Sequence, residues 1–143
     1  MALTLSHAKS PETTIVHGQD ALVREFLTSE ILVAGETVGL DGSQTGEDQM
    51  KHVRRGDADS YTIGVALEAT GGTANETVRV LVGGYCEGVD ASGAIGAGDS
   101  VTSAGAGRVV IYAAGSTDRV LGLCLVGDGG TGAVSMYWFP TMI

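Results

Sequence analysis

Two stretches of this chain are written to one plan, and that repetition constrains its fold more than any other feature. Ala34-Gly35-Glu36-Thr37-Val38 is answered by Ala97-Gly98-Asp99-Ser100-Val101. Tyr61-Thr62-Ile63-Gly64-Val65-Ala66-Leu67 is answered by Arg119-Val120-Leu121-Gly122-Leu123-Cys124-Leu125, with the glycine at the same place in both. Thr77-Val78-Arg79-Val80-Leu81-Val82 is answered by Ala133-Val134-Ser135-Met136-Tyr137-Trp138, apolar at alternate positions. The separations are 63, 58 and 56 residues, so the register drifts only where loops can lose residues. Two related β-units in a short chain predict one barrel or sandwich built by duplication. The alternative is chance agreement among glycine-rich strands.

At 143 residues the chain fits one domain, in which folding buries roughly two-thirds of the surface exposed by the unfolded polymer. Glycine accounts for 23 residues and proline for only two, Pro11 and Pro140. With many Val, Thr and Ile, that balance points to tight turns between short strands rather than to a disordered linker. Charged residues make up only 17% of the chain, so part of the surface is expected to be covered by other subunits.

The net charge of −9 argues against a nucleic-acid surface, which needs a basic stripe to displace counterions. The one basic cluster, Lys51-His52-Val53-Arg54-Arg55, is nearly cancelled by Glu47, Asp48, Asp57 and Asp59. It reads as a solvated loop with local ion pairs, or else as a contact patch for an acidic partner. No basic n-region followed by an apolar run opens the chain, and no apolar stretch reaches about 18 residues, so neither a signal peptide nor a membrane span is expected. The expectation is synthesis in the cytoplasm, after which the chain stays soluble or joins an assembly, with no membrane partner. Cys86 and Cys124 lie far apart in strand-like runs and read as two buried thiols in preference to a disulfide.

Residues 1–20 contain no repeat and read as an extended N-terminal arm; residues 21–143 form the β-domain. Residues 20–32 suit either a helix after an Asp20 cap or a strand, and the strand is preferred because Ala34-Gly35 follows as a turn. Strand-like runs then recur at 36–40, 61–67, 77–82, 85–89, 99–102, 108–113, 119–126 and 133–139. No crossover helix fits between them, so the sheet is predicted to be mainly antiparallel. The longest break, Asp41 to Asp59, is long enough to suggest binding or contact with a neighbour.

The candidate chemistry reduces to structural readings. Gly127-Asp128-Gly129-Gly130-Thr131-Gly132 has the letters of a dinucleotide fingerprint, but a strand follows where the phosphate-binding helix would be required, so it reads as a hairpin. No glycine-flanked serine forms a nucleophile elbow. His7, His17 and His52 lack ligand spacing, Asp57-Ala58-Asp59-Ser60 lacks the rest of a calcium loop, and Asn75-Glu76-Thr77 has the letters of a glycosylation site without a secretory signal. The acid pairs Asp57/Asp59 and Glu36/Asp41 read as turn formers. Neither an enzyme activity nor a cofactor or metal is expected. In the terminal strand Trp138 faces opposite to Tyr137 and Phe139, so one side fills the core while the other presents apolar area outward.

The ordered set Ala-Gly-x-x-Val, Ile-Gly-x-Ala-Leu, Val-x-Val-x-Val-Gly, a second Ala-Gly-Asp-x-Val and a final glycine-rich hairpin resembles the small β-barrel capsid cement, or head-decoration, proteins of tailed bacteriophages. The resemblance spans Ile31 to Phe139. It implies a non-enzymatic protein on the capsid exterior that binds the major capsid protein, often near local three-fold axes, and stabilises the shell as a homotrimer. The arm and the Asp41–Asp59 loop lie outside the pattern. An arm can add a strand to a neighbour's sheet edge, with Leu3, Leu5, Ile15 and Val16 as anchors. The expected interface residues are therefore Leu3, Leu5, Ile15, Val16, Arg54, Arg55 and the terminal aromatics Trp138 and Phe139, taken as exposed. Two alternatives remain: another virion part such as a head-fibre base or tail protein, and a carbohydrate-binding β-module using Tyr112, Tyr137 or Trp138 as a stacking platform.

Overall fold

The two Ala-Gly segments make the same turn with equivalent hydrogen bonds. In a computed structural model that describes residues 17–18, 21–57, 61–113 and 118–139, Gly35 and Gly98 have φ of 98° and 92°. This left-handed backbone is one that glycine adopts without a Cβ penalty. Each turn is tied by an acidic side chain that accepts from the backbone three residues earlier: Val33 N donates to Glu36 Oε1 at 2.6 Å, and Gly96 N to Asp99 Oδ2 at 2.8 Å. Each is then clamped to the next repeat segment by a reciprocal backbone pair. Gly35 N donates to Ala66 O and Ala66 N to Glu36 O, as Gly98 N does to Cys124 O and Cys124 N to Asp99 O, all at 2.8 Å. Glu36 is thus a turn former, as expected. So is Asp41, whose Oδ1 accepts from both the amide and the hydroxyl of Ser43.

Nine strands form among the described residues: β1 (Leu22–Thr28), β2 (Thr37–Leu40), β3 (Val53–Arg55), β4 (Thr62–Ala66), β5 (Glu76–Asp90), β6 (Ser100–Gly105), β7 (Arg108–Ile111), β8 (Gly122–Val126) and β9 (Ala133–Trp138). They make one curled antiparallel sheet, a half-barrel in the order β3-β2-β4-β5-β9-β8-β6-β7, with β1 also on β5. The all-β expectation holds, and residues 22–28 are strand. Two expectations are corrected. The runs at 77–82 and 85–89 are one strand of 15 residues, which continues through Gly83 and Gly84 where its partner changes from β1 to β9. The Asp41–Asp59 break contains a short 3-10 turn, Gly46–Met50, and the strand β3.

The duplication is written into the pairing. Thr37 and Val38 face Val65 and Gly64; Ser100 and Val101 face Leu123 and Gly122. Val38, Gly39 and Leu40 face Arg55, Arg54 and Val53; Val101, Thr102 and Ser103 face Ile111, Val110 and Val109. Val65 and Ala66 face Leu81 and Val80; Leu123 and Cys124 face Tyr137 and Met136. Equivalence extends to segments without sequence similarity, since Val23 and Arg24 face Leu81 and Val80 as Tyr85 and Cys86 face Tyr137 and Met136. The chain is therefore two five-stranded units. In the first, β1, β2, β3 and β4 are followed by residues 76–82 of β5. In the second, residues 84–90 of β5 take the place of β1 and are followed by β6, β7, β8 and β9. Chance agreement does not reproduce every register at fixed offsets.

Gly64 and Gly122 show why the repeated glycine is required. A Cβ at Gly64 would stand 2.3 Å from Leu81 O and 2.5 Å from Val80 Cγ1; at Gly122 it would stand 2.3 Å from Tyr137 O and 2.6 Å from Met136 Cε. In both units the neighbouring strand lies too close for any side chain. The core divides accordingly. Inside the first unit, Leu32, Val38, Val53, Ala66, Val78 and Val80 form one cluster, with Phe26, Ile63 and Val82 half-buried against it. A larger cluster fills the second unit with Val101, Val109, Leu121, Cys124, Val134, Met136 and Trp138, and also includes Val65, Leu67 and Leu81 from the first.

Candidate interaction surface

The terminal strand places its side chains alternately, as its sequence requires, but the inward side chain is the tryptophan. Trp138 is fully buried and its Nε1 donates to Ile63 O at 3.2 Å. It pairs with Gly84 of β5 on one side and Gly122 of β8 on the other. Expecting Trp138 as an exposed interface aromatic was therefore wrong. A sugar-stacking role for it falls on the same ground. Phe139 is exposed, and Tyr137 stands beside it with ring centroids 5.9 Å apart.

Tyr137 continues an apolar face that the expected interface set did not include. On β8, Leu123 lies directly opposite Tyr137, and Leu125 shares its side of the sheet. Tyr137 and Leu125 are each more than 40% exposed. The alternation of β8 and β9 carried this signal, since one of each pair of faces had to point away from Trp138. On the edge of this face Tyr85 Oη donates to Glu87 Oε2 at 3.1 Å, and burial pushes the Tyr85 phenol up from its ordinary pKa.

A second apolar surface lies in the first unit. A groove of about 280 Å³ is lined by Phe26, Tyr61, Ile63 and Val82, with Arg24 and Arg119 also on its wall. The Arg119 guanidinium stacks 4.0 Å above the Tyr61 ring and donates to Thr62 O. The stack combines ring-quadrupole attraction with burial of the arginine stem.

The basic segment resolves into individual partners. Lys51 pairs with Glu47 at 3.8 Å and Arg54 with Asp57 at 3.6 Å, both exposed, so local ion pairing describes them. Arg55 is structural. Its Nε donates to Glu36 Oε2 at 2.7 Å, its Nη2 to Ile31 O at 2.5 Å, and its backbone N donates to Glu30 Oε1. His52 is buried, with Nδ1 toward Asp48 O at 2.8 Å and Nε2 toward Asn75 Oδ1 at 3.0 Å. The Asp48 carbonyl and then the Asn75 side chain raise its pKa above the usual 6.5. Leu3, Leu5, Ile15 and Val16 lie outside the described residues.

Cys86 and Cys124 are free and buried, and burial raises the Cys86 thiol to about 12. Both face Met136 from opposite sides, which separates them by two strand spacings, roughly 9–10 Å, beyond the reach of a disulfide. Asp128 to Gly132 form the β8–β9 turn, with Thr131 N donating to Asp128 O, in keeping with the hairpin reading. Among the described residues no cluster of three or more His, Cys, Asp or Glu has the arrangement to hold a metal.

No protein-family model matches the chain, and no curated protein matches it in sequence. The fold is similar to that of the N base of the head fibre gp8.5 of bacteriophage phi29, with a TM-score of 0.59 and 15% sequence identity over 86% of this chain and 98% of that one.

Proposed function

We propose that this chain is a non-enzymatic structural protein of a phage virion that docks on the outside of the head and stabilises the lattice of major capsid protein. The observation that carries the reading is the fold likeness to a phage head-fibre base over nearly the whole of both chains. The order of turn and strand motifs that resembles head-decoration proteins supports it. So does the exposed apolar face of Leu125, Tyr137 and Phe139 on a chain with few charges, since buried interface centres favour aromatic and apolar side chains. The mechanism is added interface: modest contacts repeated over a symmetric shell, each copy bridging adjacent capsid subunits. Neither cofactor nor nucleic acid takes part.

A second reading, the base of a head fibre, is favoured by the identity of the phi29 neighbour. Both readings place the chain on the head exterior and differ in what it does there. The test mixes purified protein with expanded empty heads and with immature heads, pellets both, and then heats the decorated heads. Cement co-pellets with expanded heads and raises the temperature at which they disrupt. A fibre base co-pellets without changing that temperature. Failure to bind either form overturns both readings.

A further inference from the structure

The two units meet head to tail, and that arrangement leaves one copy of each contact patch unused. In the first unit the row Val65, Leu81 and Val23 lies on the side of the sheet away from that unit's own core. Val65, Leu67 and Leu81 are nevertheless fully buried, because they join the cluster that fills the second unit. The polar contacts run the same way. Asp90 N donates to Gly35 O, Thr37 N to Gly107 O and Gly107 N to Gly56 O, all at 2.8 Å, and Trp138 Nε1 donates to Ile63 O.

The first unit contributes Gly35, Thr37, Gly56 and Ile63 to this contact. Their equivalents in the second unit are Gly98, Ser100, Tyr112 and Leu121, but the second unit contributes Asp90, Gly107 and Trp138 instead. Two related units joined through different patches make a heterologous contact, which does not saturate itself. The unused copy of the first unit's patch is the face of Leu123, Leu125 and Tyr137, the positions equivalent to Val65, Leu67 and Leu81. There Leu125 and Tyr137 are 41% and 42% exposed where Leu67 and Leu81 are fully buried.

The unused copy of the second unit's patch is the groove in the first. Its Phe26, Ile63 and Val82 are equivalent to Val89, Leu121 and Trp138 of the second unit, which are buried there. Val82 is smaller than the tryptophan at the equivalent position, and the groove stays open.

We propose that the groove of one copy receives the Leu125–Tyr137 face of a second copy, repeating between chains the interface that each chain makes within itself. Continuity with that internal interface identifies the occupant, because the two free patches are the counterparts of two surfaces that already fit. Repetition of one such contact generates a ring where its rotation closes and an open filament where it does not. The inference rests on the duplicated fold alone and does not depend on a virion role.

The test is light scattering during size-exclusion chromatography of the full chain, with Tyr137→Arg to break the face and Arg24→Trp to fill the groove from an exposed rim position. Val82→Arg serves as a second groove variant, and a melting curve verifies that each variant is folded. The expected result is a wild-type assembly larger than a monomer, monomeric single variants, and a dimer when a face variant and a groove variant are mixed in equal amounts, because that pair retains one intact interface. A monomeric wild type, oligomers of wild-type mass from both variants, or a mixture that stays monomeric overturns the proposal.

Discussion

The two units share a turn, a strand order and a register, yet their outward faces meet opposite fates. In the first, Val65, Leu67 and Leu81 are sealed under the second unit; in the second, Leu125 and Tyr137 are exposed and Leu123 is half-buried. The residues differ accordingly. The sealed row is aliphatic and compact, whereas the open row has gained a tyrosine, a side chain that tolerates water at one end and buries a ring at the other. The edge strands differ as well: where the first unit has Arg55 bound to Glu36, the equivalent position of the second is the exposed Ile111. Duplication thus fixed the backbone, and divergence assigned one copy to internal packing and left the other as surface.

The comparison can be broken by substitutions at equivalent positions, measured by denaturant unfolding at low protein concentration. Trp138→Ala should cost about 3–5 kcal/mol, whereas Val82→Ala at the equivalent site should cost about 1 kcal/mol, because only the indole fills a unit's interior. Leu81→Ala should cost about 3 kcal/mol and Tyr137→Ala less than about 0.5 kcal/mol. Equal costs for this pair would mean that the two faces are not differently covered. Gly64→Ala and Gly122→Ala should each lose about 2–3 kcal/mol, since both place a methyl group against a backbone carbonyl. A difference of more than about 1 kcal/mol between them would show that the two cradles are not equivalent.

Smaller effects sharpen the contrast at the edges. Arg55→Met should destabilise by about 1 kcal/mol, because it leaves the nearly buried Glu36 carboxylate without its cation while preserving much of the stem packing; Ile111→Met should be neutral within about 0.5 kcal/mol. The smallest effect belongs to His52. Its two ring nitrogens face two oxygen acceptors, so the doubly protonated ring satisfies both. With its pKa raised in the folded state, the contribution is fully present below about 6.5 and is lost as pH rises through the raised value. A proton NMR titration should place the His52 midpoint above 6.5, and His52→Gln should flatten the pH dependence of stability across that window.

Much of this architecture was legible in the residues. The Ala-Gly turns, the paired glycines at 64 and 122 and the alternating runs of β5 and β9 located the repeat, because each is a backbone requirement that sequence records directly. The strand β3 was not legible, since Val53, Arg54 and Arg55 sit among charges and a three-residue strand has no period to detect. Nor was the match between β1 and the second half of β5: Val23-Arg24 and Tyr85-Cys86 share pairing geometry and nothing else. Alternation in β9 separated Trp138 from Tyr137 and Phe139 but did not say which side was inside. That depended on the packing of the first unit against the second, where the indole Nε1 meets Ile63 O, a fact of three-dimensional structure. The cysteines were read correctly as thiols, and the reason, two strand spacings across Met136, became visible only in the sheet.

The shared strand β5 also sets the order of events when the chain folds. Its first seven residues complete the first unit and its last seven begin the second, with only Gly83 between them. The second unit therefore has no first strand until the first unit has laid down its last. A chain emerging from the ribosome can close the first unit early, but β9 must wait for β5 as its template, a pairing with a long loop-closure cost. Loosening either unit loosens the strand that both use, so the two should melt together in a single cooperative transition rather than one after the other.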